Sequence, residues 1–219
     1  MYQVSLSQLN KSNVSGTATV AVDGSNITVT IRATGLSPNR AHGAHIHIGG
    51  QAACPAASAD TNKDGYVDNN EAKPFMGDLR VSLTTSGDTS ANSALAFNRM
   101  PVADKDGNVS YSRSFALPAG VKVTDLSKAT IDLQGIATLF GNKQIYDGDK
   151  RSELTNDHAF ETTVPAACGA LSTSPTGGAA TGTGSISDIE SPQFFLVGAI
   201  ALAGALTAGI VARKQFTNN

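Results

Sequence analysis

The sequence predicts an all-β fold, a β-sandwich or barrel, followed by a flexible linker and one C-terminal transmembrane helix. Three observations carry that reading. Only 16% of the 219 residues are charged, while Gly, Ser, Thr, Ala and Val are common, which suits short strands and turns better than Glu/Lys/Leu-rich helices. Apolar residues before position 171 mostly alternate with polar ones, the period of strands that bury one face. Near its end the chain turns continuously apolar. About 170 residues precede that change, enough for one real core.

Taken in order, YQVSLSQL (residues 2–9) alternates as a strand should. GTATVAV (16–22) and ITVTIRA (27–33) flank the turn Asp23-Gly24-Ser25-Asn26 and form a strand–turn–strand unit. The connection GLSPNRAHG leads to AHIHI, again strand-like. Further strands are expected over 77–82, over 108–115 after the turn DKDGN, and over 130–133. ATLF (137–140) comes next, and ETTVPAACGAL closes the domain at residue 171. Only VTDLSKA reads as mildly helical.

Residues 172–192 lack bulky apolar side chains and predict a linker with a root-mean-square span of roughly 25 Å. Residues 193–212 predict the transmembrane helix. The 19 residues of 194–212 carry no charge, and as a helix they measure about 28 Å, close to the hydrocarbon thickness. Arg213 and Lys214 follow, so the tail (213–219) is expected in the cytoplasm and the β-domain outside. A lipid-anchor signal normally ends on its hydrophobic stretch, so the polar end RKQFTNN favours a retained span.

Two distant cysteines without a Cys-x-x-Cys motif fit one disulfide in an oxidising compartment. The opening MYQVSLSQLN shows no charged segment followed by an apolar one, so the expectation is that the sequence starts after a secretion signal or has been clipped. A net charge of −2 and no basic run with interleaved aromatics exclude electrostatic capture of nucleic acid. No hydrolase or nucleotide motif is present either.

DTNKDGYVDNNE (60–71) matches the twelve-residue calcium loop at each ligand position. Asp60, Asn62 and Asp64 stand at positions 1, 3 and 5, and Gly65 makes the turn at 6. Tyr66 offers its carbonyl at 7, Asp68 stands at 9, and Glu71 supplies a bidentate carboxylate at 12. QAACPAASA before it is a poor entering helix, and Pro74 is expected to stop an exiting one almost at once. Ca²⁺ is therefore expected to stiffen a loop rather than open a helix pair, with a Kd on the order of 10⁻⁴–10⁻³ M. DKDGN (104–108) lacks the later ligands and reads as a hairpin turn.

HGAHIHIGGQAAC (42–54) holds three of the four histidines. On a strand His45 and His47 share a face, suited to copper or zinc, whereas His42 would face the other way. Two imidazoles do not complete a transition-metal site, so surface or hydrogen-bonded histidines are the alternative.

GLSPNRAHGAHIHIGG followed by a cysteine, with AACGAL near the domain's end, resembles copper/zinc superoxide dismutase and the related CHRD-type domains of the kind repeated in chordin. The likeness covers roughly residues 2–171. It implies a Greek-key β-sandwich and a Cys54–Cys168 bridge, stabilising by roughly 4–5 kcal/mol on the chain-entropy model. It also places His45 and His47 on the first two copper ligands, and His42 on a histidine that braces loops. The departures from the dismutase pattern are equally specific. No histidine lies between His47 and His158, so the dismutase zinc site is missing, and the calcium motif occupies the same loop. Phe140 falls near the last copper ligand, and Pro165 stands where the dismutases carry a guiding arginine. His158 is then the remaining candidate for a third copper ligand.

These readings predict a membrane-anchored extracellular calcium-binding module of the dismutase/CHRD type, with a binding or structural role toward an extracellular partner or ligand. The alternative is a copper-dependent dismutase or copper-capture protein using His45 and His47.

Overall fold

The computed structural model of the chain describes residues 1–140, 143–145 and 148–173. The strands before the histidine motif are β1 (Tyr2–Gln8), β2 (Ser15–Asp23) and β3 (Asn26–Thr34). β2 and β3 meet in a hairpin paired without slip from Ser15↔Thr34 to Asp23↔Asn26. Alternation turns Val20, Ile27, Val29 and Ile31 inward, each in a position where full burial contributes about 1.5–3 kcal/mol.

Next come β4 (Ala44–Gly49), α1 (Asn69–Met76), β5 (Gly77–Ser82), β6 (Val109–Ala116) and β7 (Ala129–Gln134). The small hairpin β8 (Thr138–Phe140) and β9 (Lys143–Ile145) follows, then α2 (Phe160–Thr163), β10 (Pro165–Ala170) and β11 (Ser172–Thr173). The main strands form one curled antiparallel sheet, a half-barrel, in the order β5-β4-β7-β10-β1-β2-β3-β6, with β11 also on β1. β1 joins the two halves by changing partner along its length. Its residues Tyr2 to Leu6 pair with β2, while Ser7 and Gln8 pair with β10.

The half around β4 and β7 departs from the expected alternation of buried and wet faces. Ala44 and Ile46 of β4, with Ile131 and Leu133 of β7, point into the main core. The opposite face carries His45, His47, Thr130, Asp132 and Gln134, and these are buried as well. The long connections around the sheet fold back over this face: Asn69 of α1 reaches Gln134, and the Ala94 carbonyl reaches His45. A polar face that is covered must satisfy itself internally.

Cys54 and Cys168 form a disulfide across a sequence separation of 114, joining the connection after β4 to β10. Cys168 packs in a small second core with Ala59, Val67, Ala72 and Met76. Asn10 ties the same connection to the sheet. Its Oδ1 accepts from Val67 N at 2.7 Å, and its Nδ2 donates to Val67 O and Pro165 O.

A single 3₁₀ turn, Ala57–Ala59, precedes the 60–71 loop, in keeping with the poor entering helix. α1 starts at a capping box between Asp68 and Glu71, runs through Pro74 and ends at Met76, two residues further than Pro74. VTDLSKA lies over a 3₁₀ helix, Val123–Lys128. The first two residues of the expected linker are β11, held beside β1 by pairing to Tyr2 and Gln3 and by Ser172 Oγ donating to Gln3 O. The rest of the linker, the expected transmembrane helix (193–212) and the tail lie outside the described residues. Among the described residues no helix is long and apolar enough to cross a membrane.

Candidate metal centre

Antiparallel pairing sets His45 directly opposite Asp132, with His47 opposite Thr130. Same-face alternation then brings His45, His47 and Asp132 together. One ligand atom from each lies within 4.8 Å of the others, the one such group of His, Cys, Asp or Glu side chains among the described residues. His45 Nδ1 is 3.2 Å from Asp132 Oδ1, and His47 Nε2 is 3.3 Å from the same oxygen. The two rings stand nearly perpendicular, at 87°.

Backbone carbonyls define the tautomers. His45 Nε2 faces Ala94 O at 3.0 Å, and His47 Nδ1 faces Gly77 O at 3.2 Å. A carbonyl only accepts, so each of those ring nitrogens carries the hydrogen. In the neutral rings the remaining nitrogens, His45 Nδ1 and His47 Nε2, are then bare, and both point at a carboxylate oxygen. His47 Nε2 has no hydrogen-bond partner although it is buried. Three lone pairs meeting away from water are repulsive unless a cation stands between them. A proton meets part of that demand. Burial opposes a charge on His47, but the Asp132 carboxylate more than offsets it and raises the proton affinity of the ring. Burial likewise opposes the Asp132 charge, and the His47 and His45 imidazoles hold its carboxyl far below the usual range.

A metal ion would meet the demand more completely. Ligands about 2.0–2.1 Å from a tetrahedral ion stand about 3.3 Å from one another, close to both observed contacts. Two imidazoles and one carboxylate form a donor set for Zn²⁺, Cu²⁺ or Fe²⁺, with each histidine oriented by a carbonyl behind it. The surroundings leave little slack. A Cβ on Gly43 would stand 2.9 Å from His45 Cε1, and one on Gly77 would stand 2.4 Å from Ile48 O. Gly77 also has φ 98, which favours glycine.

The other predicted site residues fall elsewhere. His42 braces two connections, with Nδ1 2.8 Å from Gln134 O and Nε2 3.1 Å from Ser37 O. Burial lowers its proton affinity, so the neutral ring donates only one of these contacts. His158 stacks edge-on against Phe97 at 4.8 Å and is not one of the three grouped ligands. The segment with Phe140 is β8, which pairs with β9, so the place across from His45 belongs to Asp132 on β7.

In the 60–71 loop, Lys63 and Gly65 take positive φ values of 61 and 93. Asp60 Oδ2 accepts from Gly65 N at 3.0 Å, and Asp60 Oδ1 is buried without a partner. Asp64 Oδ1 accepts from Tyr66 N, its Oδ2 pairs with Lys150, and its N–H binds Asn62 Oδ1. Glu71 turns back on the loop. Its Oε1 accepts from Thr61 N, Thr61 Oγ1 and Asn62 N, and its Oε2 from Asp68 N.

No family model matches the chain, and no curated protein matches it significantly.

Proposed function

We propose that this chain is a metal-holding β-domain of the dismutase/CHRD type that binds one divalent transition ion at His45, His47 and Asp132 and does not turn over a substrate. The observation that carries the reading is the convergence of buried ligand atoms from His45, His47 and Asp132 within 4.8 Å of one another, with His47 Nε2 left without a hydrogen-bond partner. Closure supports a holding role: His45 and Asp132 are 0% exposed and His47 is 5%, which leaves no open face for a substrate. Chemistry supports it too. A carboxylate in place of a third imidazole favours the divalent state of copper over the soft monovalent one, which works against redox cycling.

Calcium in the 60–71 loop belongs to the same reading, supported by the ligand spacing, the two positive φ values and the unpartnered Asp60 Oδ1. The apolar run 194–212, followed by Arg213 and Lys214, supports display of the domain outside a membrane.

The test is metal analysis of the purified full chain after loading with Cu²⁺ or Zn²⁺ and extensive dialysis, followed by a superoxide assay. One retained ion per chain without turnover is expected. Fast superoxide turnover would replace this reading with a copper-dependent dismutase, and loss of both ions on dialysis would remove it.

A further inference from the structure

We infer that Gln134 and Asn69 are positioning residues for Asp132, so that the affinity of the buried centre for its ion is set from α1, the helix that closes the 60–71 loop. The inference rests on reading His45, His47 and Asp132 as metal ligands.

A carboxylate can present either oxygen or both to an ion. Here Gln134 Nε2 donates to Asp132 Oδ2 at 3.1 Å, which leaves Oδ1 for the two histidines. The amide of Gln134 is itself directed. Its Nε2 also donates to Asn69 Oδ1 at 2.9 Å, so a flipped amide would set an oxygen against two acceptors. Asn69 is directed in turn, because its Nδ2 donates to Glu153 Oε1 at 2.8 Å and to Thr163 O at 2.9 Å. Gln134 Nε2 therefore donates both to Asp132 and to Asn69, and Asn69, fixed by Glu153 and Thr163, presents the oxygen that holds the Gln134 amide in this orientation.

The arrangement leaves Gln134 Oε1 buried and unpartnered, which is unfavourable. It is accommodated because residue 43 is glycine: a Cβ there would stand 2.8 Å from that oxygen. Asn69 is the first residue of α1, next to the N-cap Asp68 and two before Glu71. A rearrangement at the end of the 60–71 loop thus moves the acceptor that orients Gln134.

The experiment titrates the purified full chain with Cu²⁺ against a competing chelator and records the Cu²⁺ electron paramagnetic resonance spectrum. Wild type is compared with Gln134→Met, Asn69→Leu and the double variant, and the metal-free melting temperature of each reports folding. Gln134→Met is expected to weaken Cu²⁺ by about 10–100-fold and to shift the spectrum, the usual range for a lost partner behind a ligand. Asn69→Leu should weaken it less, and the double variant no more than Gln134→Met alone, because Asn69 acts through Gln134. Should Gln134→Met fail to fold, Asn69→Leu decides alone. Affinities within twofold of wild type with an unchanged spectrum overturn the inference while leaving the metal centre standing. Additive effects in the double variant overturn the relay. A wild-type chain that binds neither Cu²⁺ nor Zn²⁺ overturns both the inference and the function it rests on.

Discussion

The buried centre and the 60–71 loop are both built from acceptor side chains, yet they answer the same electrostatic problem in opposite ways. In the centre, ligand atoms of two imidazoles and one carboxylate gather within 4.8 Å of one another, and His47 Nε2 has no hydrogen-bond partner. In the loop, Glu71 and Asp64 are already served by backbone amides, and Asp60 Oδ1 is the buried oxygen left over. The first grouping is assembled in advance and would take a cation without rearranging its side chains. The second must exchange internal hydrogen bonds for ion contacts, and Glu71 would have to release Thr61 and Asn62 to ligate. Preorganisation of this kind lowers the cost of binding.

The largest expected effect strikes what anchors both regions. Replacing Cys54 with Ser opens the covalent link from the connection after β4 to β10. It is expected to lower unfolding free energy by about 4–5 kcal/mol, measured by urea denaturation, on the chain-entropy estimate for a loop of about a hundred residues. A loss below about 1 kcal/mol would show that hydrogen bonds such as those of Asn10 hold the connection unaided.

Asp132→Ala tests the centre. With ion at a thousand times its Kd, wild type should gain about 4 kcal/mol over the metal-free state, and the variant should gain almost none. Scanning calorimetry with and without Cu²⁺ or Zn²⁺ reads this out. An equal gain in the variant would place the ion elsewhere and erase the contrast between the two regions.

Calcium should act more weakly. At 10–100 times the Kd, Ca²⁺ stabilises by about 1–3 kcal/mol, and Glu71→Gln should abolish that increment while leaving the Cu²⁺ increment nearly intact. A wild-type melting temperature indifferent to calcium chelation would reduce the loop to a self-capped turn.

The smallest effect is titration of the metal-free loop. Slight burial raises the Glu71 pKa, but the Asn62 and Thr61 donors and the Asp68 amide outweigh it and set the carboxyl below its ordinary 4.5. A lowered carboxylate pKa stabilises above the unfolded value and loses that contribution as pH falls through the folded one. The Thr61 and Asn62 amide resonances should therefore titrate with a midpoint below 4.5; a midpoint at or above it would mean that Glu71 does not hold the loop.

The strands were legible because alternation in segments such as ITVTIRA is local, and the 60–71 loop pattern stands out because all its candidate ligands lie in one stretch. The metal centre was only half legible. His45 and His47 announce themselves two residues apart, but Asp132 is 87 residues from His45, and only the pairing of β4 with β7 brings them together. In ATIDLQG, Asp132 and Gln134 look like the outward, solvated positions of a one-sided strand. Their burial depends on the connections that carry Asn69 and Ala94, and no local pattern encodes that covering. His158 was attractive for its chemistry, but the chain sets it against Phe97 instead.

The placement of the disulfide has a consequence for survival against proteolysis. Thr61 to Gly65 are exposed and lie between β4 and α1, so a protease can cut there without entering a strand. One fragment would keep β1 to β4 and Cys54, the other β5 to β11 and Cys168, with the strands of the two interleaved in the sheet. A clipped molecule would run as one band without reductant and as two with it.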